Sequence, residues 1–306
     1  MAAIAYVSDD KMLEYHRVNG GQDIVFWRLS TKRFSSFQPG NLLFFLSKGN
    51  EKSRNKEKGI VGYGFFVGEK QMSIRNLWRK YGNKTGYIDK GDLVAAIQKT
   101  HKNAELPETI SCLILKDVIF FQGPIYLSEL GIKLPGNLES FTYLDAHEGH
   151  VTLELLQKVK EVGIDSWSAA LNNREIDLNG FNNEILRYQI ASIYESMHNE
   201  LTVKADSFRK HCYNLYKEEN VEWINNEHVG FISFKEPKTL YYLYTSSQRD
   251  NKENFINMLG ELVFINNSLK NTINEEVKIV VLSNVDLLDI QKETLLDCKY
   301  EYRRID

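Results

Sequence analysis

The residues best equipped for chemistry in this chain of 306 residues lie between Ile24 and Phe66, IVFWRLSTKRFSSFQPGNLLFFLSKGNEKSRNKEKGIVGYGFF. Three apolar runs of β-type residues (IVFW, LLFFL, IVGYGFF) are joined by polar, basic loops. Phe26-Trp27-Arg28 closes the first run, and the turn Gln38-Pro39-Gly40-Asn41 opens the second. Short strands with cationic loops and aromatic ends suit a small barrel that grips nucleic acid, because cations neutralise phosphates and flat rings stack on bases. The charge distribution points the same way. Net charge is only -3, yet residues 1–90 hold 16 Lys+Arg against 8 Asp+Glu, and the remainder holds 22 against 33. That asymmetry predicts a polyanion-binding front half and an acidic rear half. No catalytic signature competes with it: GxSxG, GxxxxGK[ST] and HExxH are all absent.

The elements that must position these residues follow from pattern. The opening apolar run leads into a helical turn, DDKMLEYHRV, ended by Gly20-Gly21. Strands are predicted at 24–28, 42–46 and 60–67. Gly62 and Gly64 inside the last mark a bulge, a barrel corner or a close backbone approach. Ile74, Leu77, Trp78 and Tyr81 fall at helical spacing behind Ser73, a natural N-cap. A second helix is predicted over 89–100, strands over 110–115 and 118–121, and a helix over 152–162. Residues 163–205 read as mainly helical. The rear of the chain has the order α-β-β-α-β-α: helix 206–219, strands 229–234 and 239–245, helix 253–269, strand 277–282 and helix 285–296.

Composition sets outer limits. Apolar content of 42% and charged content of 26% are those of an ordinary globular protein, and the length accommodates two domains. No run approaches the roughly 20 apolar residues of a membrane span. The start, MAAIAYVSDDK, lacks a basic segment followed by an apolar one, so no secretory signal is expected. Cys112, Cys212 and Cys298 make no CxxC pair and read as reduced thiols. The expectation is a cytoplasmic protein with no membrane partner.

Residues 1 to about 155 resemble the EVE domain of the PUA-like superfamily, which also includes the YTH readers, in the version that opens modification-dependent restriction endonucleases. The segments SDDKMLEYHRVNG, IVFWR, QPGNLLFFLSKG, IVGYGFF, NLWRKYGNKTGY and ISCLILKDVIFFQGPIYL carry the resemblance in that order. It implies a β-barrel whose mouth takes one nucleotide, with a modified cytosine flipped out of duplex DNA as the target. Carried onto this chain, Trp27 is the first stacking residue, Trp78 and Tyr81 form a second wall, and Tyr87 lies behind them. Ser47 and Lys48 meet the base edge or its phosphate, and Tyr63 lines the floor. Lys52, Arg54, Lys56 and Lys58, with Arg28, Lys32 and Arg33, are the phosphate-binding set. Each has an ordinary counterpart. Trp27 and Trp78 suit a core, Tyr63 suits a barrel filling, and the lysine loop suits a solvated turn.

The rear departs from that architecture. An HNH nuclease needs clustered histidines, whereas His198, His211 and His228 are scattered. The order of elements instead resembles the PD-(D/E)XK restriction-endonuclease fold. That fold needs an Asp on one strand and (D/E)-x-Lys on the next, to hold Mg2+. At the matching positions stand Gly230, Tyr244 and Ser246. Glu236-Pro237-Lys238 is formally E-x-K, with Glu218, Glu219, Glu222 and Glu227 upstream, but it falls in an apparent hairpin turn.

The sequence therefore predicts an α+β protein in three parts. Residues 1–160 form an EVE/PUA-like β-barrel with inserted helices. Residues 161–204 form a helical connector, and 205–306 an α/β domain resembling a degenerate PD-(D/E)XK fold. The expected activity is reading modified double-stranded DNA within a restriction or defence system. The expected associations are a separate nuclease or effector subunit and a homodimer. No cofactor is expected, with Mg2+ required only if the rear domain cleaves. An active endonuclease with a relocated metal site and an RNA-modification reader are the alternatives.

Overall fold

The computed structural model describes residues 3–52, 56–101, 105–145, 151–171, 178–197, 206–224, 230–246, 252–272 and 276–305. The chain divides into two compact units, residues 2–177 and 178–306. Both mix helices with a sheet that has parallel and antiparallel ladders, so the class is α+β.

In chain order the first unit contains β1 (Ile4–Ser8), α1 (Asp10–Val18), β2 (Ile24–Arg28), β3 (Leu42–Lys52), β4 (Glu57–Met72) and α2 (Ile74–Tyr81). It continues with α3 (Lys90–His101), β5 (Ile110–Ile125), β6 (Phe141–Tyr143), α4 (Val151–Val162) and α5 (Trp167–Leu171). Its six strands run β2-β5-β4-β3-β1-β6. Only the β1–β3 ladder is parallel. The expected closed barrel is corrected to an open sheet, with β2 and β6 as its edges among the described residues. Both edges are short, and a ring of β1 touches an aromatic of each. The Tyr6 ring lies 5.0 Å from Phe26 and 5.7 Å from Phe141.

The two strands expected at 110–115 and 118–121 are one continuous strand, β5, which pairs with both β2 and β4. The β4–β5 ladder slips register at three places, the first between Ile60 and Gly62. A Cβ on Gly62 would stand 2.4 Å from the Ile119 carbonyl oxygen, so glycine there permits the close approach of two backbones. Alternation along β3 divides the packing between the two faces. Leu43 and Phe45 join Phe26, Trp27, Leu77, Tyr87, Leu93 and Phe120 in one core. Phe44 turns the other way, to Tyr63, which also meets Phe65 and Phe121.

The second unit contains α6 (Leu178–Met197), α7 (Asp206–Tyr216), β7 (Val221–Trp223), β8 (Gly230–Ser233), β9 (Thr239–Tyr244), α8 (Lys252–Thr272), β10 (Lys278–Ser283), α9 (Asp289–Asp297) and β11 (Glu301–Arg304). The sheet order is β11-β10-β9-β8-β7. β7, β8 and β9 form an antiparallel meander, and β9, β10 and β11 are parallel across α8 and α9. α6 falls within the span expected as a connector. Its Leu186, Ile190, Ala191 and Tyr194 are core residues of this unit, with Leu262 and Ile265 of α8. α7 packs Cys212 and Tyr216 with Phe231, Tyr241 and Val280 in a separate cluster. Among the described residues no group of three or more His, Cys, Asp or Glu is placed to hold a metal ion. No helix among them is long and apolar enough to cross a membrane.

Candidate functional site

The site grows from the junction of β1 and α1. An apolar strand followed by Ser8-Asp9-Asp10 is a helix-start signature. Asp9 is the N-cap, and its Oδ1 accepts from the Met12 N–H at 3.0 Å. Asp10, in the first turn, accepts a hydrogen bond from Ser47 Oγ at 2.7 Å. The parallel β1–β3 register sets Ser8 opposite Ser47, which is why the end of β3 meets the start of α1. Carboxylates at a helix N-terminus are stabilised there by the aligned peptide dipoles.

Two aromatic side chains from distant parts of the chain come together here, Tyr87 beside Asp9 and Trp27 beside Tyr87. Trp27 stands on edge strand β2, opposite Cys112 of β5, and is 8% exposed. Tyr87 follows the short 3-10 turn after α2 and is 4% exposed. The Tyr87 hydroxyl lies close to the Asp9 carboxylate and the Trp27 indole, yet neither its oxygen nor Trp27 Nε1 has a partner in hydrogen-bond geometry. Burial raises the Tyr87 pKa, and the negative charges of Asp9 and Asp92 push it the same way. The hydroxyl therefore stays protonated, as a donor.

Gly86 fixes where Tyr87 sits. Its φ is +84°, and a Cβ there would lie 2.3 Å from Met12 Cγ and 2.8 Å from His16 Nε2. The loop therefore locks onto α1 through the absence of a side chain. His16 is buried, its Nε2 has no partner, and burial lowers its pKa to about 4.

The other residues singled out from the sequence fall into distinct places. Trp78 and Tyr81 on α2 are half-buried against the same core as Trp27 and Tyr87. Lys80 lies over the Tyr81 ring at 5.3 Å. Ser47 joins the site through Asp10. Lys48 is exposed and paired with Glu139 at 2.5 Å. Tyr63 is fully buried in the packing of the other sheet face, away from Trp27. Arg28 is buried as well. Its Nη2 donates to Glu69 Oε1 at 2.8 Å and to the Lys32 carbonyl, and its guanidinium covers the Phe34 ring at 4.1 Å. A phosphate would have to displace that pairing. Lys58 is buried and donates to the Gly136 carbonyl at 2.9 Å, which likewise removes it from the accessible cations. Lys32, Arg33 and Lys56 are exposed. Lys52 ends β3 opposite Glu57, its side chain lying outside the described residues, as does Arg54 altogether.

Sequence reasoning placed Tyr87 only behind the second wall, and it missed Asp9, Asp10 and His16. The signal for the acids was present, since SDD precedes the α1 pattern, but it reads equally as a plain cap.

No family model matches this chain, and no curated protein does. Among solved structures it is similar to the ASCH protein from Zymomonas mobilis. Identity is 14% over 51% of this chain and 94% of that one, with a TM-score of 0.34. Two point mutants of that protein give 17% and 16% identity, over 51% of this chain and 96% and 95% of theirs, with TM-scores of 0.34 and 0.35. Similarity at that level assigns neither a fold nor a function.

Proposed function

We propose that the first unit reads a modified cytosine in double-stranded DNA, flipped out of the helix into the site bounded by Trp27, Tyr87 and Asp9. The observation that carries this reading is the pair of buried donors, Trp27 Nε1 and the Tyr87 hydroxyl, beside the Asp9 carboxylate. Cytosine presents an amino donor next to a ring-nitrogen acceptor. A carboxylate opposite the amine and an indole or phenol donor opposite the ring nitrogen complement that edge. Flipping costs a few kcal/mol, and aromatic contact returns about 1–3 kcal/mol per base. Trp78 and Tyr81 form the rim, and Lys32, Arg33, Lys56 and Lys48 supply phosphate contacts. Trp27 and Tyr87 are nearly covered, so the base enters as the loop around Gly86 moves off α1.

The second unit supports a companion reading. Its run α7-β7-β8-β9-α8-β10 is compatible with the helix-and-strand order of the PD-(D/E)XK core, and on the resemblance drawn from the sequence Gly230, Tyr244 and Ser246 fall where that fold carries its metal-binding residues. We read it as a nuclease-like domain without that chemistry, whose role is to hold DNA or recruit an effector.

The test is fluorescence anisotropy of the full chain on three probes: a duplex carrying 5-methylcytosine, the same duplex unmodified, and single-stranded RNA. Preference for the methylated duplex, lost in Trp27→Ala and reduced about tenfold in Tyr87→Phe, is expected. The tenfold figure corresponds to one hydrogen bond of about 1.4 kcal/mol. Equal binding to both duplexes, or preference for the RNA, overturns the reading. Cleavage of the methylated duplex with Mg2+ or Mn2+ that is abolished by Glu236→Ala overturns the companion reading alone.

A further inference from the structure

The segment that carries Tyr87 into the site has two features that the base pocket does not use. The first is charge. Between Ser73 and Lys90 stand Arg75, Arg79, Lys80, Lys84 and Lys90, all exposed, against a single acid, Asp89. On α2 the division is by face. Ile74 and Leu77 are buried, whereas Arg75 and Arg79, one turn apart, share the solvent side. The second feature is Ile88, the residue next to Tyr87, which is 73% exposed. Exposed apolar residues are ordinary when scattered singly. This one differs in its setting, because it stands directly beside a residue of the site and within a cationic stretch.

The backbone holds Ile88 outward between two fixed points. On one side Tyr87 is buried, and Gly86 is keyed to α1. The turn before it is closed by the Gly86 N–H donating to the Asn83 carbonyl at 2.9 Å and by Thr85 Oγ1 donating to the Gly82 carbonyl at 2.7 Å. On the other side Asp89 Oδ1 accepts from the Asp92 N–H at 2.9 Å and so caps the start of α3. The two neighbours therefore face opposite ways, Tyr87 toward Asp9 and Trp27, Ile88 toward solvent. The frame presents the isoleucine rather than folding it back onto the core.

We propose that Ile88 is the wedge that takes the place of the flipped base in the duplex, with Arg75, Arg79, Lys84 and Lys90 on the phosphates around it. The proposal rests on the reading of the first unit as a base-flipping module. A flipped nucleotide leaves a flat apolar gap in the stack, and the base returns to that gap unless something fills it. Branched apolar side chains fill such gaps in proteins that unstack or kink DNA. The movement that lifts the Gly86 loop off α1 uncovers the site beneath Tyr87 and carries Ile88 outward in the same step. The cations supply the approach, since a polyanion is drawn to the side on which Ile88 stands. Lys84 meets Asp23 only at 3.8 Å, with both side chains exposed, a pairing that a phosphate displaces readily. A single strand has no gap between paired bases, so the wedge acts on duplex alone.

The test is fluorescence anisotropy of the full chain on a duplex carrying one 5-methylcytosine, the same duplex unmodified, and a single strand with the same 5-methylcytosine. Ile88→Ser should weaken binding to the methylated duplex about tenfold while leaving the single strand unaffected. Its melting temperature should match the wild type, because the side chain is exposed, and Ile88→Leu should keep wild-type affinity. Arg75→Glu with Arg79→Glu should weaken all three probes and lower the salt dependence by about two phosphate contacts. An Ile88→Ser variant that binds the methylated duplex as tightly as wild type overturns the wedge and leaves the base-flipping reading standing. Equal losses on duplex and single strand do the same. A wild-type chain that binds both duplexes equally overturns that reading and the wedge with it. An unchanged salt slope in the double arginine variant overturns the placement of the phosphates.

Discussion

Gly86→Ala tests how the site at Asp9, Trp27 and Tyr87 is held together. The residue sits at φ +84°, where a side chain costs about 1–2 kcal/mol through its clash with the following carbonyl. The new methyl group also meets Met12 Cγ at 2.3 Å, His16 Nε2 at 2.8 Å and the Met12 Cα at 3.1 Å. The last contact is with backbone and cannot be relieved by a side-chain rotation. Overpacking of that kind costs about a further 1–3 kcal/mol. Gly131 provides the internal control. It has φ +80° in the same unit, but a Cβ there meets nothing within 4 Å. Both substitutions therefore share the conformational cost, and only Gly86→Ala adds the collision. The difference of about 1–3 kcal/mol equals roughly a 5- to 150-fold faster hydrogen exchange of the slowest amides on the β2–β5 ladder. Exchange followed by mass spectrometry reads this unit separately from the second. Equal acceleration by Gly86→Ala and Gly131→Ala would show that the loop is not keyed to α1, and the placement of Tyr87 beside Asp9 would lose its mechanical basis.

Two further predictions concern stability. His16 has a folded pKa of about 4 against an ordinary value of 6.5, because burial disfavours its charged form. The unfolded chain therefore binds the proton first. Stability is full above about pH 6.5 and falls as pH drops toward 4, by roughly 3 kcal/mol in all. Urea midpoints between pH 7 and 4 should show the fall, and His16→Met should flatten it; an unchanged slope in the variant would refute the assignment. Glu69→Leu leaves Arg28 buried and unpaired, and should destabilise the first unit by about 3–5 kcal/mol. Arg28→Met together with Glu69→Leu should recover most of that loss, since the uncompensated charge is gone. A double variant as unstable as Glu69→Leu would show that packing, not charge, sets the cost.

Elements set by local signals were legible. Ser73 caps α2 by accepting from the Asn76 N–H, and the apolar positions Ile74 and Leu77 are its buried ones, as their spacing predicted. The β-type runs became strands, and Gly62 within β4 marked a close backbone approach. What escaped depended on partners far along the chain. β7 and β11 are short edge strands, and Val221-Glu222-Trp223 and Glu301-Tyr302-Arg303-Arg304 carry too little apolar pattern to announce them. Among the described residues β2 and β6 stay unpaired edges of the sheet, and the Tyr6, Phe26 and Phe141 rings that meet there come from separate strands that no local rule brings together. The same holds for the site. Trp27 drew notice because aromatic ends of strands are conspicuous, but its fate as a buried donor depends on Tyr87, brought near it by the turn at Gly86. Arg28 and Lys58 looked like surface cations, and became internal ones because Glu69 and the Gly136 carbonyl were waiting for them.

The parallel pairing of β1 with β3 has a consequence for the order of assembly. β1 is flanked by β3 on one side and β6 on the other, through Ile4 opposite Leu43 and again opposite Tyr143. Of the six strands of this sheet, the one earliest in the chain is therefore among the last to acquire both neighbours, and ladders spanning such separations close slowly. Asp9 and Asp10 hang from the end of that strand. As the chain emerges from synthesis, the carboxylates of the site exist early, but the frame that aims them is complete only when Tyr143 is in place. A nascent fragment ending before β6 would carry Trp27, Tyr87 and the exposed Lys32, Arg33, Lys48 and Lys56, and would still lack the strand that completes the frame behind Asp9.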